Sequence, residues 1–458
     1  MNVRLRLIIM NFLEFFIWGS WLISIGNYLG GTLHFTGAQI GAVFSTLGIA
    51  SLFMPALMGI IADKWINAER VLGLCHILGA CMLIWASAVT SPDMFFWVML
   101  LNSMFYMPTI ALNNTVSYII LEQKAFDIVK DFPPIRVWGT VGFIAAMWIV
   151  DICNWDATNT QLIFSAASAL VLGIYAFTMP SCPPVKSNKI KSFLSSLGLD
   201  AFVLFKQKKM FIFFWFAMFL GAALQITNAF GSSFLESFKP TSPDSFVVNH
   251  KLFTLSISQI SESLFILAIP FFLRRFGIRK VMLMSMFAWV FRFGLFGIGN
   301  PGSVPGLAAL IASMIIYGMA FDFFNISGSL FVENEAPLNI RASAQGLFMF
   351  MTNGVGAMCG GYGAGLVVDY FTKKYYDLDL LCQAVKINRD NPWLLDQVKD
   401  KVIEAGHLIR DPVLVSNWQS IWFTFAGYAL VLGIVFPLVF KYKHRPGEIQ
   451  NPHPEPSL

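Results

Sequence analysis

Residues 311–331 read IASMIIYGMAFDFFNISGSLF, an apolar run long enough to cross a bilayer as one helix, with a single aspartate, Asp322, inside it. A carboxylate near mid-bilayer depth costs roughly 2.5 to 3.5 kcal/mol on insertion scales, so a chain keeps one only where it faces protein or water. Tyr317 and Phe321 are four residues apart and share a helical face, while Asp322 lies about 100° round from Phe321. One helix can thus offer an aromatic shelf to a ligand and a titratable group to the adjoining face. The competing account is an aspartate neutralised by a nearby arginine for assembly alone.

The rest of the chain has the same character. Of 458 residues, 56% are hydrophobic and only 12% charged, with a mean hydropathy of +0.65. An ordinary soluble domain is excluded, because too little polar surface would remain to face water. Repeated apolar runs of about 20 residues predict an all-α polytopic membrane protein. The first run, Leu7 to Leu29, ends in no small-residue cleavage pattern and carries Glu14 and Asn27, so it reads as a span and not a signal peptide.

The net charge of +5 is spread over short loops, which argues against a nucleic-acid partner. Cys75, Cys81, Cys153, Cys182, Cys359 and Cys382 form no CxxC pair, so neither a disulfide framework nor a zinc site is suggested, and no cofactor is called for.

Twelve spans can be placed in two sets of six. They fall at about 7–29, 38–62, 70–90, 94–119, 136–153 and 160–180, then at about 210–235, 251–273, 279–298, 306–331, 342–370 and 418–441. The chain therefore divides into an N-terminal half (1–180), a linker (181–209) and a C-terminal half (210–458). The linker carries Pro183, Pro184 and six lysines, Lys186, Lys189, Lys191, Lys206, Lys208 and Lys209, and reads as cytoplasmic. Arg4, Arg6, Lys64, Arg70, Lys124, Lys130, Arg274, Arg275, Arg279, Lys280, Lys441, Lys443 and Arg445 fall on the same side, which predicts cytoplasmic termini. Residues 371–417 hold seven basic and seven acidic side chains, and the count of spans puts them outside as a partly helical loop.

This arrangement resembles the major facilitator superfamily, whose halves rock about a mid-membrane site. Gly59-Ile-Ile-Ala-Asp63-Lys64, between spans two and three, is similar to the start of that superfamily's Gly-x-x-x-Asp-Arg/Lys loop, although the residues downstream depart from it. Asp63 and Lys64 are equally readable as solvated loop charges.

Four polar clusters sit at helical spacing in apolar spans. Arg136, Thr140 and Phe143 join a cation, a hydroxyl and an aromatic face behind Phe132-Pro133-Pro134, read as a turn. Gln225 and Asn228 turn two amides the same way, and Gln259 and Glu262 suit a vicinal diol. Tyr317 and Phe321 supply stacking surfaces. Each has a plainer account: an interfacial anchor for Arg136, interhelical hydrogen bonds for the amides, pairing with an arginine for Glu262, and packing for the aromatics. Amides for a heterocycle edge, aromatic faces to stack on it and a carboxylate for sugar hydroxyls together suggest a nucleoside.

The stretches Phe132-Pro-Pro-Ile-Arg136-Val-Trp-Gly-Thr140, Leu224-Gln225-Ile-Thr-Asn228, Ser256-Ile-Ser-Gln259-Ile-Ser-Glu262 and Phe321-Asp322-Phe-Phe-Asn-Ile-Ser-Gly resemble the nucleoside:proton symporter family. Trp18-Gly-Ser-Trp21 and Arg341-Ala-Ser-Ala-Gln345-Gly346 fit it too. The resemblance implies that Arg136, Thr140, Phe143, Gln225, Asn228, Gln259, Glu262, Tyr317 and Phe321 line a nucleoside site and that Asp322 is tied to proton coupling. It also implies nucleoside, proton and bilayer as partners, a bacterial inner-membrane location and a monomer. Arg292 of span nine lies within roughly 10 Å of Asp322 in depth, at about 1.5 Å per residue, and is a candidate switched partner for it.

Other classes leave other marks. A sugar:proton symporter would use similar carboxylates and aromatics. A membrane-embedded enzyme would need a motif such as HExxH or GxSxG, and the six histidines are scattered. A non-transporting receptor would have only residues 371–417 as an interaction domain.

Overall fold

The computed structural model describes residues 2–184, 199–398, 402–403 and 408–442. Twelve helical elements run back and forth in two sets of six. The first set is α1 (Val3–Gly19), α2 (Gly37–Lys64), α3 (Ala68–Ala88), α4 (Pro92–Gln123), α5 (Ile128–Ile152) and α6 (Thr160–Ala176). The second begins with α7 (Lys208–Glu236), α8 (Lys251–Phe276), α9 (Ile278–Ile298) and α10 (Val304–Glu335). Then come α11, built of Arg341–Met349 and Ala357–Tyr370 joined by π-helical turns at Phe350–Gly356, and α12 (Trp418–Val439). Nine of the described helices are long and apolar enough to cross a membrane alone. The 17-residue α1 and α6 and the divided α11 complete the twelve.

Local chemistry sets the helix ends. Thr36 and Gln39 form a capping box at the start of α2, and the Ser303 and Asn417 side chains cap α10 and α12. Gly277, at φ 76°, makes the one-residue turn between α8 and α9, a conformation that a Cβ would strain.

Three expectations need correction. The first span is not continuous: α1 stops at Gly19, the chain turns through Ser20–Ser24, and helix resumes at Ile25–Asn27 and Tyr28–Thr32. The Ser20 hydroxyl donates to the Phe16 carbonyl at 2.7 Å, a local bond that competes with the helical ladder. The Phe132-Pro133-Pro134 stretch is not a turn but lies within α5, which begins eight residues before Arg136. Both prolines are exposed near the helix end, where the carbonyls they leave unpaired can meet water.

The third concerns residues 371–417, which hold a sheet as well as helix. Strands β1 (Thr372–Asp377), β2 (Val402–Ile403) and β3 (Leu408–Ser416) pair antiparallel in the order β1-β3-β2. Helices Leu378–Val385 and Pro392–Val398 pack Leu381, Leu394 and Val398 into a small core of their own. Asn391 Nδ2 donates to the Pro240 carbonyl at 3.0 Å and ties this unit to the α7–α8 loop. Of the linker lysines, Lys186, Lys189 and Lys191 lie outside the described residues; Leu199–Lys206 forms a 3-10 helix leading into α7.

Within the first half, α1 and α5 touch backbone to backbone. A Cβ on Gly142 would sit 2.2 Å from the Phe12 carbonyl oxygen, whereas one on Gly294 of α9 meets nothing within 4 Å. Gly142→Ala should therefore force the two helices apart and destabilise by about 1 to 3 kcal/mol, while Gly294→Ala should be neutral or stabilise by about 0.5 to 1 kcal/mol. Thermal unfolding of the two purified variants beside wild type checks the contrast. Equal melting temperatures would overturn it.

Candidate substrate and proton site

The α1–α5 contact holds Arg136 in place. Its guanidinium lies 4.0 Å over the Phe15 ring, and a Cβ on Gly139 would meet both that ring, at 2.7 Å, and Arg136 Nη1, at 2.8 Å. Glycine one turn along thus leaves the room in which arginine stacks. Further along α5, Phe143 meets Trp18 of α1 edge to face, with ring centroids 6.3 Å apart. Thr140 lies between them on the same helix, partly exposed.

On the other half, α8 and α10 are pressed together at the acid. A Cβ on Gly318 would stand 2.6 Å from the Ser261 carbonyl oxygen and 2.9 Å from the Glu262 nitrogen, and Ser261 Oγ donates to the Ile315 carbonyl. Only a residue without a side chain lets α10 approach there, which brings Glu262 beside Tyr317 and Asp322. The Gln259 side chain lies near the Tyr317 hydroxyl. The Tyr317 and Phe321 rings lie parallel, 1° apart in tilt with centroids at 5.9 Å, as the i, i+4 spacing predicts.

The halves meet electrostatically at this point. Glu262 interacts by charge with Arg136 across the gap and with Asp322 on its own half. Asp322 is 5% exposed, and its Oδ2 has no hydrogen-bond partner among the described residues. The Arg292–Asp322 pair, expected as a switched one, is not made in this conformation. Arg292 Nη1 donates to the Ser313 carbonyl at 3.0 Å and to Ser258 Oγ at 3.4 Å, and its guanidinium covers the Tyr317 ring at 4.4 Å. Hydroxyl, carbonyl and aromatic groups of α8 and α10 engage the arginine, while its Nε has no hydrogen-bond partner among the described residues. The arginine backs the aromatic shelf instead.

Six of the expected residues, Arg136, Gln259, Glu262, Tyr317, Phe321 and Asp322, therefore form one connected group. Gln225 and Asn228 stand apart from it among the described contacts: Asn228 Nδ2 donates to Gln225 Oε1 at 3.4 Å, a long bond that leaves most of both amides free.

The chain was then compared with known proteins. The family described as "Nucleoside H+ symporter" matches residues 1–445. The chain belongs to that family. A xanthosine permease of Escherichia coli K12 is 51% identical over 453 residues, 98% of this chain and 99% of the permease. The nucleoside permease NupG of the same organism is 48% identical over 446 residues, 97% of each chain. The crystal structure of nucleoside transporter NupG superposes with a TM-score of 0.83, covering 97% of this chain and all of that one. This symporter thus shares the twelve-helix major facilitator architecture, a multi-pass membrane fold, and its relatives are transporters.

Sequence reasoning missed several groups at the symporter's site. Phe15 and Trp18 give Arg136 and Phe143 their backing, and Trp18 Nε1 is buried without a hydrogen-bond partner among the described residues. Aromatic residues in an apolar span carry no signal that separates a site wall from core. Trp148 of α5 donates through Nε1 to Ser256 Oγ of α8 at 2.9 Å and stacks on Phe253, joining the halves.

One end of the symporter, opposite its termini, is held shut. Lys251 at the head of α8 bridges Asp156 of the first half, at 2.9 Å, and Glu236 of α7, at 2.7 Å. Asp151 at the foot of α5 accepts from the Leu252 nitrogen and contacts His250 Nδ1, both at 2.9 Å. Asp369 of α11 reaches the first turn of α2, accepting from the Gly37 and Ala38 nitrogens at 2.5 and 2.8 Å. Below it α2 and α11 run in contact, and a Cβ on Gly41 would lie 2.3 Å from the Gly361 carbonyl oxygen. At the end that carries the termini, Arg4 with Asp131, Lys209 with Glu335 and Arg341 with Glu333 each join residues of one half.

Proposed function

We propose that this symporter brings nucleosides into a bacterial cell together with protons, as a single chain in the inner membrane with both termini in the cytoplasm. The observation that carries the reading is the charge group Arg136, Glu262 and Asp322, drawn from both halves and set beside the parallel rings of Tyr317 and Phe321. Glu262 and Gln259 hold ribose hydroxyls, Tyr317 and Phe321 take the base face, and Arg136, Thr140 and Phe143 complete the chamber from the other half. Gln225 and Asn228 have amide groups to spare for the base edge.

Asp322 is the proton carrier. Among the described residues its free oxygen has no hydrogen-bond partner, and Glu262, of like sign, interacts with it by charge. A proton is the counter-charge small enough to reach it.

The asymmetry of basic loops supports a cytoplasmic location for the linker and for the end carrying the termini. On that orientation the sealed end faces outward, the 371–417 unit lies outside, and the structure is an inward-facing one. Transport then proceeds by rocking of the halves: proton and nucleoside bind from outside, and the pair favours the closure that opens the inner face.

Proteoliposomes carrying a pH gradient, acid outside, test the function. Labelled nucleosides should accumulate and a protonophore should abolish the gain, with xanthosine the first substrate to try because of the 51% identical permease. Uridine and adenosine complete the panel. Accumulation of a disaccharide in their place would overturn the reading in favour of a sugar symporter.

A further inference from the structure

At the end that carries the termini, the start of α7 and the last turn of α12 stand apart and leave a groove of about 600 Å³. Its walls are apolar: Phe211 and Trp215 from α7, Leu438 and Val439 from α12, all of them exposed. Three lysines, Lys208, Lys209 and Lys441, border the same groove. Deeper in, the two helices close up. The Phe216 and Phe436 rings meet edge to face with centroids at 5.0 Å, and the Tyr428 hydroxyl donates to the Phe219 carbonyl at 2.7 Å. On the other side of α12, Arg279 at the head of α9 donates to the Pro437 carbonyl at 2.7 Å and fixes that last turn to α9.

The groove has a charged end and an apolar end. Lys208 begins α7, and Trp215 lies roughly 10 Å further along it at about 1.5 Å per residue, so the groove runs from headgroup depth toward acyl-chain depth. Lys209 is committed: its Nζ meets Glu335 at 2.7 Å, neutralising that acid, and lies 5.2 Å over the Tyr442 ring. Lys208 and Lys441 are exposed at the mouth. A soluble anion would use these lysines and leave the apolar walls bare. A neutral lipid would use the walls and leave the ammonium groups without a counter-charge. The occupant that answers both ends is an amphiphile with an anionic head.

We propose that this groove is a binding site for one anionic phospholipid, with its phosphate held by Lys208 and Lys441 and an acyl chain laid along Phe211, Trp215 and Leu438. On the orientation proposed above the lipid belongs to the inner leaflet, whose anionic headgroups attract lysines at the membrane surface. Both walls belong to the second half. The lipid therefore bridges α7 and α12 without crossing between the halves and keeps its place while they rock.

Native mass spectrometry of the purified protein tests this, after incubation in detergent with phosphatidylglycerol, with phosphatidylcholine of the same chains, or with glycerol phosphate. Wild type should retain phosphatidylglycerol about fivefold or more over phosphatidylcholine and should not retain glycerol phosphate. The double variant Lys208→Gln with Lys441→Gln should bring phosphatidylglycerol down to the level of phosphatidylcholine, itself unchanged within about twofold. Arg274→Gln with Arg275→Gln removes two exposed charges from the end of α8 and should match wild type. Leu438→Trp fills the groove with every charge kept and should lower retention of both lipids about threefold or more. Thermal unfolding shows whether each variant is folded, and Leu438→Trp decides if the lysine variant is not. Folded groove variants that retain phosphatidylglycerol as wild type does overturn the inference. An equal loss in the two charge variants overturns it too, because the attraction then belongs to the whole face, as does glycerol phosphate held in place of the lipid. No nucleoside enters the measurement, so its outcome is independent of the transport reading.

Discussion

Asp322→Asn should abolish accumulation of nucleoside against its gradient, reducing the inside-to-outside ratio in energised proteoliposomes to one, while exchange of nucleoside for nucleoside continues. The amide keeps the size and the hydrogen-bonding capacity of the acid but cannot carry a proton across. Uphill movement requires that the proton-loaded carrier and the nucleoside-loaded carrier favour the same transition, and a side chain that never titrates breaks that link without emptying the chamber. The geometry makes the separation possible. Asp322 is turned about 100° from the stacking shelf of Phe321, and its Oδ2 has no hydrogen-bond partner among the described residues. Parallel measurement of gradient-driven uptake and counterflow gives both readouts from one preparation. A variant that still concentrates nucleoside would remove Asp322 from the proton step.

Glu262→Gln should raise the half-saturation concentration for nucleoside by about 10- to 100-fold, the loss expected when a charge-assisted hydrogen bond becomes a neutral one. Two effects add. On the proposed reading the ribose loses its anionic acceptor, and Arg136 loses the carboxylate that interacts with it by charge from the other half. The second effect reaches across the gap between the halves, so the maximal rate should fall as well as the affinity. Tyr317→Phe offers a control on the same wall, since it removes only the hydroxyl and keeps the ring stack. If Glu262→Gln leaves half-saturation unchanged in counterflow, the acid is structural.

Much of this was legible in the chain because a membrane enforces its own grammar. Apolar length places spans, basic residues suggest their orientation, and each polar group inside a span needs a reason to be there. Asp322, Glu262 and Gln259 were visible on those grounds, and i, i+4 spacing alone foretold the parallel rings of Tyr317 and Phe321. What stayed hidden depends on separation in sequence. Glu14 meets His76 across 62 residues and Gly37 meets Asp369 across 332, and neither partner carries a local pattern that points to the other. The β1–β3 pairing fails for the same reason, with Thr372 opposite Ser416 and a charged, partly solvated stretch in between. Arg292 shows a further limit: depth along the membrane does not say which way a side chain faces, and in this conformation Arg292 turns to Ser313 and Tyr317.

The double attendance on the first turn of α2 bears on how the machine moves. Thr36 belongs to the same half as the amides it caps, whereas Asp369 visits from the other. When the sealed end parts, the carboxylate leaves and water takes its place, yet the residual cap keeps the terminal coil wound. The segment then swings as a stiff lever without melting. Deuterium uptake at the Gly37 and Ala38 amides would rise as that face opens, making them an unlabelled clock for the cycle.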